Sequence, residues 1–167
     1  IPPDLKATIL RIFPDAGPAW LKAFPCLLRA CEERWSLRLG EPLPGLSINY
    51  LTHASLPDGR PVVLKLGLPH PESNTEIESL RIWAGRGLVR CIDADPTLAA
   101  LLLERVAPGY MLTALPGNAE QTRIAAGIML QLQKAPPPNH NLPTFADWIN
   151  RAFARYRSTY ADRAGEG

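Results

Sequence analysis

The stretch "GRPVVLKLGLPHPESNTEIESLRIW", Gly59 to Trp83, decides the fold. An apolar, β-branched run, Val62-Val63-Leu64, ends on Lys65, and a Pro-rich break then leads into a segment with acids at Glu72, Glu76 and Glu78. The run reads as a strand and the segment as a helix, because Ile77, Leu80, Trp83 and Ala84 recur on one helical face and Gly85 and Gly87 close it. At about 100° per residue, Glu76 falls within roughly 60° of the centre of that face, while Glu78 falls on the far, solvated side.

Working outward, Leu56-Pro57-Asp58-Gly59 places a Pro-Asp-Gly turn between two apolar runs, which is a hairpin signal. Downstream, "LVRCIDADPTLAALLLERV" repeats the pattern with a turn at Asp95-Pro96. The order strand, hairpin strand, helix, strand, hairpin strand predicts an antiparallel sheet carrying one helix, an α+β layout. The first part of the chain reads as helical: Asp15 is expected to cap a helix beginning after Gly17-Pro18. The positions Leu27, Leu28, Cys31 and Trp35 fall near one face, and Gly40 is expected at the helix end. Beyond "APGYMLTALPGN" the chain is helical again, with Ile124, Ile128, Leu130 and Leu132 periodic around a weak point at Gly127. The three prolines Pro136 to Pro138 break it, and Phe145, Trp148, Ile149, Phe153 and Tyr156 mark a last amphipathic helix.

At 167 residues and 18.3 kDa, 46% hydrophobic, the chain is long enough for one proper core. A net charge of +2, with both signs interspersed, advertises no nucleic acid. Cys26, Cys31 and Cys91 are odd in number and lack zinc-ligand spacing, which suits free thiols in a reducing cytoplasm. No apolar window reaches transmembrane length, so no membrane partner is expected. The chain opens on Ile1 rather than Met, so it is not expected to be a complete translation product.

Lys65 has two readings. In the plainer one it snorkels from a strand end. In the other it grips phosphate from the third strand of a kinase-like lobe, held by a glutamate of the next helix. An inward glutamate beside a core-facing lysine forms a pair that neither charge could sustain alone, and the helix geometry selects Glu76. A second apolar run, "AALLLERVAPG", stops at Glu104-Arg105-Val106 and breaks at Ala107-Pro108-Gly109. It reads either as a solvated edge strand or as the crossing to a second lobe.

Taken together, Trp20 to Gly87 and the later "ALLLERVAPG" resemble the aminoglycoside and hydroxyurea antibiotic-resistance kinases. The most specific part is "PVVLKLG" before "E...LR.W.GRG". The resemblance implies a protein-kinase-like N-terminal lobe over residues 45–108, preceded by a helical segment over 1–44 and followed over 109–167 by the first helices of a C-terminal lobe. It implies an ATP-dependent phosphotransferase with an alcohol acceptor on a cationic aminoglycoside such as streptomycin. Lys65 would contact the α- and β-phosphates, Glu76 would orient it, and Val63 would roof the adenine. The carbonyl of Glu104 and the N–H of Val106 would meet the adenine edge, and the loop from Leu46 to Asn49, with Ser47 as a phosphate contact, would cover the phosphates.

Such chemistry needs a base and Mg2+ ligands, supplied in kinases by a His-x-Asp loop with a downstream Asn and by a later Asp. His53, His70 and His140 begin no such loop, and Asp147 and Asp162 are isolated. The base and the metal-binding Asp are therefore expected beyond Gly167, and the chain alone is expected to be inactive. The alternative is a truncated or degenerate kinase lobe that binds nucleotide or a partner without catalysis.

Overall fold

A computed structural model describes residues 1–45, 48–133 and 135–160, with backbone alone at 71, 72, 155 and 158–160. Two helices, α1 (Pro3–Ile12) and α2 (Gly17–Trp35), precede three strands, β1 (Arg38–Pro42), β2 (Tyr50–Ser55) and β3 (Pro61–Leu66). Helix α3 (Pro71–Ile82) leads to β4 (Cys91–Asp95) and β5 (Ala100–Glu104), and α4 (Asn118–Leu132) and α5 (Phe145–Tyr160) follow. The strands form one antiparallel sheet in the order β1-β2-β3-β5-β4. This is the expected α+β class, with one strand more than the sequence reading counted.

Alternation along β2 and β3 builds two cores. Tyr50, Ala54, Val62, Leu64 and Leu66, with Leu102 of β5, face Leu5 and Ile9 of α1 and Trp20, Phe24 and Cys31 of α2. Trp20 stacks edge-on against Phe24, and Phe24 against Tyr50, at centroid distances of 5.2 and 4.9 Å, so a chain of rings seats α2 on β2. Val63, Leu101 and Leu103 point to the other face, where Ile77 and Leu80 of α3 cover them. With helices on both faces, β3 and β5 are apolar at nearly every position, which explains the unbroken runs in the sequence.

Both expected hairpins form. Asp58 Oδ1 accepts the Arg60 N–H, and Gly59 takes φ of +84°. Asp95 Oδ1 accepts the N–H groups of Thr97 and Leu98 and orders the β4–β5 turn. Three local expectations fail. Gly40 ends no helix: α2 stops at Trp35, with Ser36 in the left-handed region, and Gly40 lies in β1, where its carbonyl accepts the Thr52 hydroxyl at 2.9 Å. Asp15 does not cap α2, whose N-cap is Ala16 without a side-chain bond. Helix α3 ends at Ile82, which leaves Ala84 exposed in the following turn and off the apolar face. On α4, Ile128 and Leu130 are exposed, and Ile124 and Leu132 half-buried.

On α5, Phe145, Trp148, Phe153 and Tyr156 are all more than half exposed, so the stripe seen in the sequence faces solvent. Among the described residues no helix is long and apolar enough to cross a membrane.

Candidate functional site

Antiparallel register places side chains in rows, because directly opposed residues share a face. On the α3 side of the sheet, Leu51 of β2, Lys65 of β3 and Leu101 of β5 form one such row. Two positions along lies the next: His53, Val63 and Leu103. Lys65 is therefore the one charged residue in a short apolar grid, on the third strand of the sheet, with its side chain 15% exposed. Its Nζ donates to Oε1 of Glu76, whose side chain is 38% exposed. Glu76 reaches inward because it lies next to buried Ile77 and four residues, about one turn, before buried Leu80. Glu76 keeps contact with water, so the pair forms without the full desolvation cost of a buried ion pair.

Glu78 is not simply solvated, as the sequence had implied. It is half-buried, and its Oε1 accepts the backbone N–H of Asn141 at 2.7 Å.

Val63 is 8% exposed, at the centre of the second row. Beside it, His53 has a buried Nδ1 with no hydrogen-bond partner among the described residues. The register that sets His53 next to Val63 could not be read from the sequence before β2 and β3 were aligned. Glu104 closes β5 opposite Val62; its N–H donates to the Arg90 carbonyl at 2.9 Å and its Oε1 accepts the Arg90 N–H at 2.7 Å. Val106 lies past the strand end and is 60% exposed. The backbone folds back at once, and Gly109 takes φ of +71° at a point where a Cβ would stand 2.9 Å from the Val106 carbonyl oxygen.

Ser47 lies outside the described residues, as does Leu46. Their neighbours Gly45, Ile48 and Asn49 belong to the connection between β1 and β2, at the end of the sheet toward Glu76. Asn49 Oδ1 lies 2.3 Å from where a Cβ on Gly67 would be, so a side chain two residues after Lys65 would require Asn49 to move. A cleft of about 490 Å³ opens here, bordered by Phe13, Ile48, Asn49, His70, Ser73 and Glu76. The far wall of Gly67 is fixed from α2, where Trp20 Nε1 donates to the Gly67 carbonyl at 3.0 Å.

The structure thus brings Lys65, Glu76 and Val63 onto one face of the sheet, puts Glu104 at its edge, and leaves Val106 exposed beyond it. Among the described residues no group of three His, Cys, Asp or Glu side chains could hold a metal ion.

Comparison with known proteins places the chain in a family. The family model described as aminoglycoside/hydroxyurea antibiotic resistance kinase matches residues 18–166. Streptomycin 6-kinase of Streptomyces glaucescens is 33% identical over 138 residues, covering 83% of this chain and 45% of that protein. Streptomycin 6-kinase of Streptomyces griseus is 28% identical with the same coverage. Hydroxyurea phosphotransferase of Kitasatospora aureofaciens is 33% identical over 144 residues, covering 83% of this chain and 41% of that protein. The chain therefore spans less than half the length of these relatives. No solved structure matches it. With its match running over nearly the whole sequence from Pro18 onward, the chain belongs to the aminoglycoside/hydroxyurea antibiotic resistance kinase family.

Proposed function

We propose that this chain is the nucleotide-binding lobe of an ATP-dependent small-molecule O-phosphotransferase. The observation that carries the reading is Lys65 on the third strand meeting Glu76 on the helix that follows, the pairing by which kinases hold the lysine that contacts the nucleotide phosphates. ATP fits the residues present. The row of His53, Val63 and Leu103 is assigned to the adenine end of the site, where Val63 and Leu103 keep a little exposure, and the row with Lys65, two positions along each strand, to the phosphate end. The Glu104 carbonyl and the Val106 N–H are assigned to the adenine edge, and the β1–β2 connection to the phosphates.

Bound Mg-ATP supplies the transferable phosphoryl group. The protein's part here is to position it: Glu76 holds the ammonium, Lys65 offsets phosphate charge, and the apolar grid excludes water from the base. The Mg2+ ligands and the base for the acceptor hydroxyl are assigned to the portion of the relatives that the match does not cover, so this chain alone transfers no phosphate. The acceptor is an aminoglycoside of the streptomycin kind, following the two relatives named for that substrate.

Calorimetric titration of the chain with Mg-ATP tests the first half: micromolar to millimolar binding supports it, and no heat at millimolar nucleotide sinks it. The second half is tested on a protein carrying this lobe together with the rest of a family kinase. Phosphorylated streptomycin, seen by mass spectrometry, is expected, and no product from any of a panel of aminoglycosides would refute the acceptor.

A further inference from the structure

Helix α3 is held from two sides, and only one of them is the sheet. Toward the sheet, Ile77 and Leu80 are buried and Glu76 meets Lys65. Away from it, Glu78 Oε1 accepts the Asn141 N–H at 2.7 Å, joining residues 63 apart in sequence. Two helical steps turn the chain by about 200°, so the two carboxylates grip opposite neighbours. A separate contact lies just past the helix: a Cβ on Gly87 would come within 3.0 Å of Ile128 Cγ2 and 3.5 Å of Gln131 Oε1, so this turn rests directly on α4.

The donor is well presented. Pro136, Pro137, Pro138 and Pro143 restrict the backbone around it. His140 Nδ1 accepts the Leu142 N–H at 3.0 Å, which fixes the turn that aims the Asn141 N–H at α3. A stiff segment loses little entropy in making such a bond.

We infer that Glu78 is a positioning residue for the Lys65–Glu76 pair: the segment after α4, through the Asn141 N–H, sets the rotation of α3 and so decides whether Glu76 reaches the lysine. The segment after α4 thereby communicates with the Lys65 end of the sheet through this backbone donor, beside the packing of Gly87 on α4. The consequence for nucleotide affinity rests on the function proposed above; the mechanical claim does not.

Because the acceptor is a side chain and the donor is backbone, four variants separate the contact from its surroundings. Hydrogen–deuterium exchange of the nucleotide-free chain is read over α3 against β3 and β5. Glu78→Ala and Asn141→Pro each remove one partner and are expected to speed exchange across α3 by about five- to tenfold, with the two strands unchanged. Glu78→Gln keeps an acceptor and Asn141→Ala keeps the donor, and both are expected to behave as the parent chain. Mg-ATP affinity should fall by a similar factor in the first two variants alone. Unchanged α3 exchange in either Glu78→Ala or Asn141→Pro overturns the inference, as does failure of glutamine to substitute at position 78. If the parent chain binds no Mg-ATP at all, the nucleotide reading fails, and the exchange comparison still decides this one.

Discussion

Replacing Lys65 by methionine separates nucleotide binding from folding. Methionine keeps the unbranched stem that lies between Leu51 and Leu101 and removes only the ammonium. What the fold loses is one charge-assisted hydrogen bond to a glutamate that is 38% exposed and can rehydrate. What it gains is relief from holding a cation at 15% exposure. These terms nearly cancel, so stability should change by no more than about 1 kcal/mol, or a few degrees in Tm for a chain of this size. The role proposed for Lys65 has no such compensation: if it makes two charge-assisted bonds to phosphate oxygens, at about 1.5 kcal/mol each, their loss should lower Mg-ATP affinity about a hundredfold. Glu76→Ala gives the converse pattern. It strands the less exposed partner and should destabilise the fold by about 2 kcal/mol as well as weaken binding. Urea denaturation and calorimetric titration on the same samples measure both quantities. An Mg-ATP affinity for Lys65→Met within threefold of the parent would refute the phosphate role. A loss of several kcal/mol in stability alongside the loss of binding would make the lysine a structural residue instead.

Three further outcomes follow from the same geometry. Gly67→Ala drives a Cβ into Asn49 Oδ1 and should displace the β1–β2 connection, lowering Mg-ATP affinity severalfold while circular dichroism stays unchanged; a parent-like affinity would show that Asn49 does not fix the loop. Burial raises the Cys31 thiol to about 11, first by desolvation and then by the nearby Asp95, so at pH 8 a thiol reagent should label exposed Cys26 and spare Cys31 until the chain unfolds, as peptide mapping will show. Asp93 is held below the usual carboxylate range first by the indole N–H of Trp35, and Asp95 first by the Thr97 hydroxyl. Their folded values lie below their unfolded ones, so their stabilisation is present at neutral pH and lost as pH falls through the folded values. The pH dependence of urea midpoints below about 4 should therefore flatten in Trp35→Phe, which removes the hydrogen bond to Asp93.

What could be read in advance depended on how local the cause was. The contact of Lys65 with Glu76 was legible because three-residue periodicity orients a helix before its partner is known, and an unpaired lysine next to Val62-Val63-Leu64 demands an acid. The hairpin turns were legible because Pro, Asp and Gly impose them within four residues. Strand β1 was not. Arg38-Leu39-Gly40-Glu41-Pro42 is an exposed edge with no β-branched residue, and its Gly and Pro mimic a helix end, so only pairing with β2 makes it a strand. That strand is also what makes β3 the third. Glu78 was misjudged for a related reason: its partner is a backbone N–H, which leaves no trace in residue type. The neighbours of Gly67 and the row joining His53 to Val63 likewise exist only once distant segments meet.

The placement of α1 and α2 over one face of the sheet bears on the order in which the chain acquires structure. By the time Leu66 has been synthesised, both helices and the β1–β2–β3 meander are available, joined by short connections, and most of the residues of their shared core are present. The opposite face cannot close until β5 arrives to pair with β3, across the whole of α3 and β4. Contacts of short sequence separation form soonest, because less loop entropy is spent on closing them. The first two helices and three strands can therefore assemble on the ribosome with Lys65 already in its strand, while the α3 face of the sheet stays open until β5 pairs with β3.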